Sequence, residues 1–224
     1  LDRTRRAYYA QCTHLDFQIG RLIWFLRKTL KVLDNTWILF FSDHGELLGD
    51  NLHFRKFSAL EGSAKIPLII RPPKDGAAAR GTRCALPVAH CDIMPTILQE
   101  AGVPVPDTVE GASLSGALRG KPLEWRRFVH GEHSDRGLQY VTDGRRKYIW
   151  NFVDDREYFF DLAADPQETR NVIHDPQYAE QVGELRDHLI QILAERPEDE
   201  LSDGKHLLPR PPLNPVRPWL ERMA

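Results

Sequence analysis

Apolar residues in the first part of the chain fall at Leu15, Ile19, Leu22, Ile23, Leu26, Leu30 and Leu33, in steps of three and four that lay one stripe along a helix predicted over residues 3–33. Arg21, Arg27, Lys28 and Lys31 stand mostly beside or opposite that stripe, and Asp34-Asn35 break it. Trp37-Ile38-Leu39-Phe40-Phe41 follows as an apolar run without alternation, the pattern of a strand covered on both faces. Ile66-Pro67-Leu68-Ile69-Ile70 repeats it and is stopped by Pro72-Pro73. A helix followed by a buried strand predicts an α/β sandwich with a mostly parallel sheet. Residues 73–83, rich in Gly, Ala and charge, read as a surface loop, and residues 85–89 as a short strand. Asp92 is placed to cap a helix running to Ala101, with Gly102 as its stop.

After about Gly120 the pattern changes. Residues 128–130, 138–142, 147–152 and 157–161 are short strand candidates separated by turn residues, which predicts an antiparallel sheet. Asp175-Pro176 opens a helix in the cap-then-proline arrangement, with Tyr178, Val182, Leu185, Leu189, Ile192 and Leu193 as its stripe. From residue 197 prolines accumulate, and an extended tail is expected, anchored by Trp219 and Leu220. The predicted division is a catalytic-type α/β part over 1–121, a small antiparallel sheet with a packed helix over 122–196, and a proline-rich tail over 197–224.

Composition narrows the partners. Of 224 residues, 42% are hydrophobic and 28% charged, and the net charge of −2 gives no electrostatic reason for nucleic acid or an acidic membrane as partner. Cys12, Cys84 and Cys91 cannot all pair within one chain and fit no zinc spacing. No apolar run approaches the roughly 20 residues of a membrane span, so no transmembrane segment is expected. The compartment is left open between cytoplasmic and periplasmic or secreted. The chain starts at Leu1, inside its first predicted helix, so an N-terminal part of the same protein is expected as its partner.

Candidate chemistry concentrates at Ser42-Asp43-His44-Gly45-Glu46, directly after the first apolar strand. Open α/β sheets bind ligands beyond the carboxyl ends of their strands. Asp43 supplies a hard anionic oxygen there and His44 a nitrogen suited to transition metals, so the two are candidate ligands of a divalent cation. Gly45 lets the backbone turn away. On the alternative reading Asp43 caps a turn and His44 is an exposed side chain.

The segment heads an ordered series. It is followed by Gly49-Asp50, by Asn51-Leu52-His53-Phe54-Arg55-Lys56, by Ala59-Leu60-Glu61-Gly62-Ser63 and by Lys65-Ile66-Pro67-Leu68-Ile69-Ile70. His90-Cys91-Asp92-Ile93-Met94-Pro95-Thr96, Gly111-Ala112-Ser113-Leu114, Lys147-Tyr148-Ile149 and Phe160-Asp161-Leu162-Ala163-Ala164-Asp165-Pro166-Gln167-Glu168 continue it. In this order the chain, from about Arg6 to about Leu193, resembles the C-terminal half of the sulfatase family and its phosphonate and phosphodiester hydrolase relatives in the alkaline phosphatase superfamily. The resemblance implies that Asp43 and His44 are the metal pair and that Lys56 is a catalytic and substrate-binding lysine touching an oxygen of the ester. An ammonium there would neutralise charge developing on the transferred group and leaving oxygen; the alternative for Lys56 is a snorkelling surface lysine. His53, three residues before Lys56, could reach the same cleft or be a plain loop histidine. Glu132-His133 resembles a segment bordering the pocket in some relatives, and reads otherwise as a surface turn. Glu61, His90 and Asp92 read as structural.

The family's nucleophile is a formylglycine made from a Cys/Ser-x-Pro/Ala-x-Arg motif. The segments beginning at Cys12, Cys84 and Cys91 all fail that pattern, so the formylglycine and the remaining metal carboxylates are expected upstream of this chain. The implied activity of the whole protein is metal-dependent hydrolysis of a sulfate ester, on a small molecule or a sulfated glycan. The cation is expected to be calcium, with manganese, iron or zinc as alternatives. The rival readings are a phosphonate monoester or phosphodiester hydrolase and a noncatalytic interaction module.

Overall fold

The computed structural model describes residues 1–76, 78 and 80–211. The described residues form α-helices and two antiparallel sheets, distributed over two compact units. The first unit comprises Leu1–Arg55, Lys65–Cys84 and Ala89–Glu124; the second takes in Lys56–Ala64, Ala85–Val88 and the chain from Trp125 onward.

In the first unit, α1 (Asp2–Lys28) ends five residues before the predicted limit, and Leu33–Asn35 is a separate 3-10 turn. No residue of α1 is buried; of its stripe, Leu15 and Leu22 stand exposed and Ile19, Ile23 and Leu26 are partly buried. β1 (Ile38–Phe41) and β2 (Leu68–Arg71), separated in the chain by the short α2 (Glu61–Ala64) of the second unit, pair with each other, Phe40 opposite Ile69. That pairing is antiparallel, so the parallel character expected of this sheet is not expressed in the pair. Both runs read as strands covered on two faces, yet Phe40, Phe41 and Ile69 are exposed, the last at 62%. The apolar code for burial is present and, among the described residues, its cover is not.

Residues 85–89 form no strand. Pro87 removes a ladder donor, and its carbonyl instead accepts from the Trp125 indole at 2.9 Å. Asp92 does not cap the following helix, α3 (Ile93–Glu100), with its side chain. Its carboxylate turns back and accepts from the backbone N–H of Ala89 at 2.8 Å and of Ala112 at 2.9 Å, stitching the loop around Gly111 to the helix start. A short α4 (Ser115–Leu118) closes the unit.

The second unit holds the antiparallel sheet expected, a four-stranded meander of β3 (Val129–His133), β4 (Leu138–Thr142), β5 (Arg146–Asn151) and β6 (Arg156–Asp161). Gly131 faces Tyr140 across β3 and β4, and a Cβ there would meet the tyrosine ring at 2.2 Å. The sheet is covered on both faces, which is why β5 reads as buried at four consecutive positions. On one face Val141, Tyr148, Trp150 and Phe159 pack with Val182, Leu185, Leu189 and Leu193 of α5 (Ala179–Ala194). On the other, Ile149, Phe160 and Leu162 pack with Ala59 and the partly buried Leu60. The Asp175 carboxylate accepts from Gln177 N–H at 3.1 Å, so the helix opens as its cap-proline pair predicts. Beyond α5, Leu201 is buried against the same core and Arg210 N–H donates to Phe152 O at 2.8 Å. Trp219 and Leu220, expected as anchors, lie outside the described residues.

Candidate active-site segments

β1 delivers its C-terminal end to Ser42, whose carbonyl accepts from His90 Nε2 at 2.8 Å. That bond fixes the backbone immediately before Asp43. The Asp43 carboxylate folds over its own neighbour: Oδ1 accepts from the His44 backbone N–H at 2.9 Å, and Oδ2 stands 3.3 Å from His44 Nε2. His44 Nδ1 lies 2.8 Å from the Gly45 carbonyl, which can only accept, so the proton belongs on Nδ1. In the neutral imidazole, Nε2 then presents its lone pair toward the carboxylate. Two acceptors facing each other at this spacing repel unless a proton or a cation lies between them. Ligand bonds of roughly 2.0–2.6 Å to one divalent ion would place its ligands about this far apart. The backbone carbonyl on Nδ1 is also the usual partner that orients a metal-binding histidine. Asp43 is 84% exposed and His44 38% exposed, so both reach open space. Among the described residues no group of three or more His, Cys, Asp or Glu could hold a metal, and this pair supplies two ligands only.

The loop that follows is unusually bent. Leu48, Asn51, Leu52, Arg55 and Phe57 all have positive φ, five of the nine non-glycine residues so disposed among those described. Such backbone persists where its surroundings over-determine it, and it gathers at functional sites. Here Glu46 Oε1 accepts from both Leu48 N–H (3.1 Å) and Arg55 N–H (2.6 Å), while Leu47 N–H donates to Arg55 O at 2.9 Å. Arg5 of α1 donates to Leu48 O at 2.9 Å and pairs with Asp50 at 2.8 Å. Gly49, at φ +90°, has Leu1 packed where a Cβ would be, 2.4 Å away.

His53 closes this loop, its Nδ1 2.6 Å from Asn51 O, with the side chain exposed. Lys56 opens the second unit, half-buried, with Nζ 5.7 Å from the Phe57 ring centroid. Phe57 also stacks edge-on to His133 at 5.4 Å and lies under Arg136 at 5.6 Å. Glu132 sits within β3, not in a surface turn, and is engaged by Arg196 at 2.9 Å and Gln139 at 3.3 Å. Burial works to raise its pKa, but the hydrogen bonds from Arg196 and Gln139 prevail and hold it below the usual carboxylate range. A carboxylate kept ionised on an arginine is a poor proton donor. The structure therefore brings Asp43 and His44 together, and places His133, not Glu132, beside the Lys56-Phe57 segment.

Two features escape a reading of the sequence. The nucleophile pattern, which no cysteine satisfies, is matched formally by Ser115-Gly116-Ala117-Leu118-Arg119. There the serine is buried with its Oγ 2.9 Å from Ser113 Oγ, and Arg119 is paired with Glu100 at 2.8 Å. The hydrogen bond from Arg119 is the main reason that the Glu100 pKa is lowered. The match thus belongs to a helix-joining ion pair and presents no nucleophile. The second feature is Lys147, the second residue of β5, fully buried and paired with Glu61 at 2.7 Å and Glu168 at 2.9 Å. The lysine stands between Arg145-Arg146 and the apolar Tyr148-Ile149-Trp150, so nothing local marks it as buried. Its acceptors could not be read from spacing.

An arylsulfatase of Clostridium perfringens (strain 13 / Type A) is 38% identical over 220 residues, covering 97% of this chain and 45% of the relative. The chain thus spans somewhat under half the length of that protein. Among solved structures, one captured in complex with its substrate D-glucosamine-2-N, 6-O-disulfate has 32% sequence identity and a TM-score of 0.70, over 89% of this chain and 42% of the other. The phosphonate monoester hydrolase of Agrobacterium radiobacter is 29% identical with a TM-score of 0.71, over 92% of this chain and 45% of the other. No helix among the described residues is long and apolar enough to cross a membrane. The family model described as N-sulphoglucosamine sulphohydrolase, C-terminal, matches residues 49–195, and the chain belongs to that family.

Proposed function

We propose that the whole protein of which this chain is a part hydrolyses sulfate esters with the help of a divalent cation. Asp43 and His44 hold that cation and Lys56 meets an oxygen of the ester. The observation that carries the reading is the facing pair of Asp43 Oδ2 and His44 Nε2 at 3.3 Å, with Nδ1 committed to a carbonyl. When bound, the cation supplies Lewis-acid polarisation of the group being transferred. Asp43 contributes charge and a hard oxygen, and His44 an oriented nitrogen. Lys56 contributes a positive charge that counters the charge developing on the leaving side. The family's formylglycine is not furnished by Cys12, Cys84, Cys91 or Ser115, and no step of the reaction is assigned to these residues.

The substrate class favoured is a sulfated sugar or other small sulfate ester, supported by relatives named as sulfatases and by the neighbour bound to a disulfated glucosamine. A second reading, hydrolysis of a phosphonate monoester, is supported by the phosphonate hydrolase neighbour and by His44, since imidazole suits manganese, iron or zinc better than calcium. Metal analysis of the full protein, with parallel assays on sulfate and phosphonate esters, separates the two. Calcium with preferential sulfate turnover supports the first; manganese, iron or zinc with preferential phosphonate turnover supports the second. Asp43→Ala and His44→Ala proteins that keep full metal content and activity would remove the metal assignment.

A further inference from the structure

Lys147, the second residue of β5, places an ammonium on the sheet face that carries Tyr140, Ile149 and Phe160. The three N–H donors of Lys147 Nζ meet three acceptors: Ala59 O at 2.8 Å, Glu61 Oε1 at 2.7 Å and Glu168 Oε1 at 2.9 Å. Glu61 N–H adds a fourth link, donating to Glu168 Oε2 at 2.5 Å. Residues 59–61 are therefore tied to the sheet at three of their own atoms by two side chains, one on β5 and one in the turn after β6. Buried ion groups of this kind are commonly matched or exceeded in stability by apolar side chains of similar volume, so stability alone does not explain a lysine here. What apolar residues could not do is hold a chosen carbonyl and a chosen carboxylate at fixed points. The segment so held begins at Lys56, three residues before Ala59, and Phe57 between them sits at a φ of 78° that needs support from its surroundings.

We propose that Lys147 is a positioning residue, which by clamping Ala59 and Glu61 onto the sheet sets where the Lys56 ammonium stands; the inference rests on the substrate-facing role of Lys56 proposed above. It is tested in the full-length protein by a double-mutant cycle on sulfate-ester turnover, with Lys56→Ala, Lys147→Met and the pair combined. Misplacement of a group by about 1 Å can cost on the order of 100-fold in rate. Lys147→Met alone is therefore expected to lower kcat about 10- to 100-fold, with the larger loss on esters of poor leaving groups. In the Lys56→Ala background the same substitution changes kcat less than about 2-fold, because nothing remains to be positioned. Equal losses in both backgrounds overturn the proposal. Should Lys147→Met fail to fold, Glu168→Gln decides by the same cycle: its single remaining oxygen must serve both Glu61 N–H and Lys147 Nζ, so the clamp loosens while an uncharged side chain of the same size stays in place. A Lys56→Ala protein with undiminished kcat on every ester overturns the Lys56 reading and this inference with it. A Lys56-dependent enzyme whose cycle is additive overturns only this inference.

Discussion

The two units bury their apolar residues in opposite ways. In the second, Tyr148, Trp150, Phe152, Phe159, Leu185, Leu189 and Leu193 are all withdrawn from solvent around one sheet and one helix. In the first, a 27-residue helix has no fully buried residue, and a two-stranded sheet leaves Phe40, Phe41 and Ile69 exposed. Two paired strands are marginal by themselves in water, and none of the described residues withdraws these apolar side chains from solvent. The difference teaches that similar sequence signals, an apolar stripe and an unbroken apolar run, make a core only where a second layer arrives to cover them.

The comparison is broken most severely at Lys147. Lys147→Met leaves Glu61 and Glu168 facing each other without a cation, and the second unit should lose about 3–5 kcal/mol, as when one partner of a buried pair is removed. Denaturant unfolding followed through the environment of Trp150 measures this. An unchanged midpoint would show that the two carboxylates share a proton at no cost. Burial already pushes the Glu168 pKa up against the pull of Lys147. That share of stability is present at low pH and lost as pH rises through its folded value.

Matched truncations in the two helices come next. Leu189→Ala, at a fully buried position of α5, should cost about 2–5 kcal/mol. Leu22→Ala, 58% exposed on α1, should stay within about 0.5 kcal/mol. Both are read from thermal or denaturant midpoints. Comparable losses would mean that α1 is covered in solution, and would relocate the contrast from the fold to its assembly.

A smaller effect sharpens the contrast from within the second unit. Burial lowers the His130 pKa, with the hydrogen bond to Gln139 and the charge of Glu132 opposing it; Arg196, Asp199 and His188 complete the surrounding charges. A depressed histidine leaves the unfolded chain as the better proton binder, so stability falls as pH drops below about 6.5. His130→Gln should flatten that slope when unfolding midpoints are compared between pH 7 and 5. The smallest expected effect is on dye binding: a hydrophobic fluorophore should bind the native chain through the first unit, and Ile69→Ser should reduce its signal without shifting the unfolding of the second.

Much of this was legible because some signals are local. The strand boundaries of β4 and the Asp175-Pro176 start of α5 depend on neighbours within a few residues, and the sequence shows them directly. The Asp43-His44 pair was legible for the same reason, adjacency being all that it needs. Residues 85–89 failed as a strand because β-structure requires a partner edge, which no local pattern reports. Asp92 was read as a helix cap from its position, but its carboxylate serves Ala89 and Ala112, the latter 20 residues away. Lys147 was least legible, since it makes sense only with Glu61 and Glu168 already in place. Ser115 shows the converse hazard, a motif whose letters match while its hydroxyl is sealed in an ion-paired corner.

The clamp at Lys147 also bears on the order in which the chain assembles. β3 to β6 are consecutive hairpins and can pair early, because each closes a short loop. Ala59, by contrast, must return to Lys147 across 88 residues, and the entropy of closing so long a loop is met only when its contacts form. Until it arrives, the Lys147 ammonium stays hydrated and that face of the meander stays open. The docking of residues 56–64 is thus a late event, and substitutions in the clamp should accelerate unfolding far more than they slow the formation of the sheet.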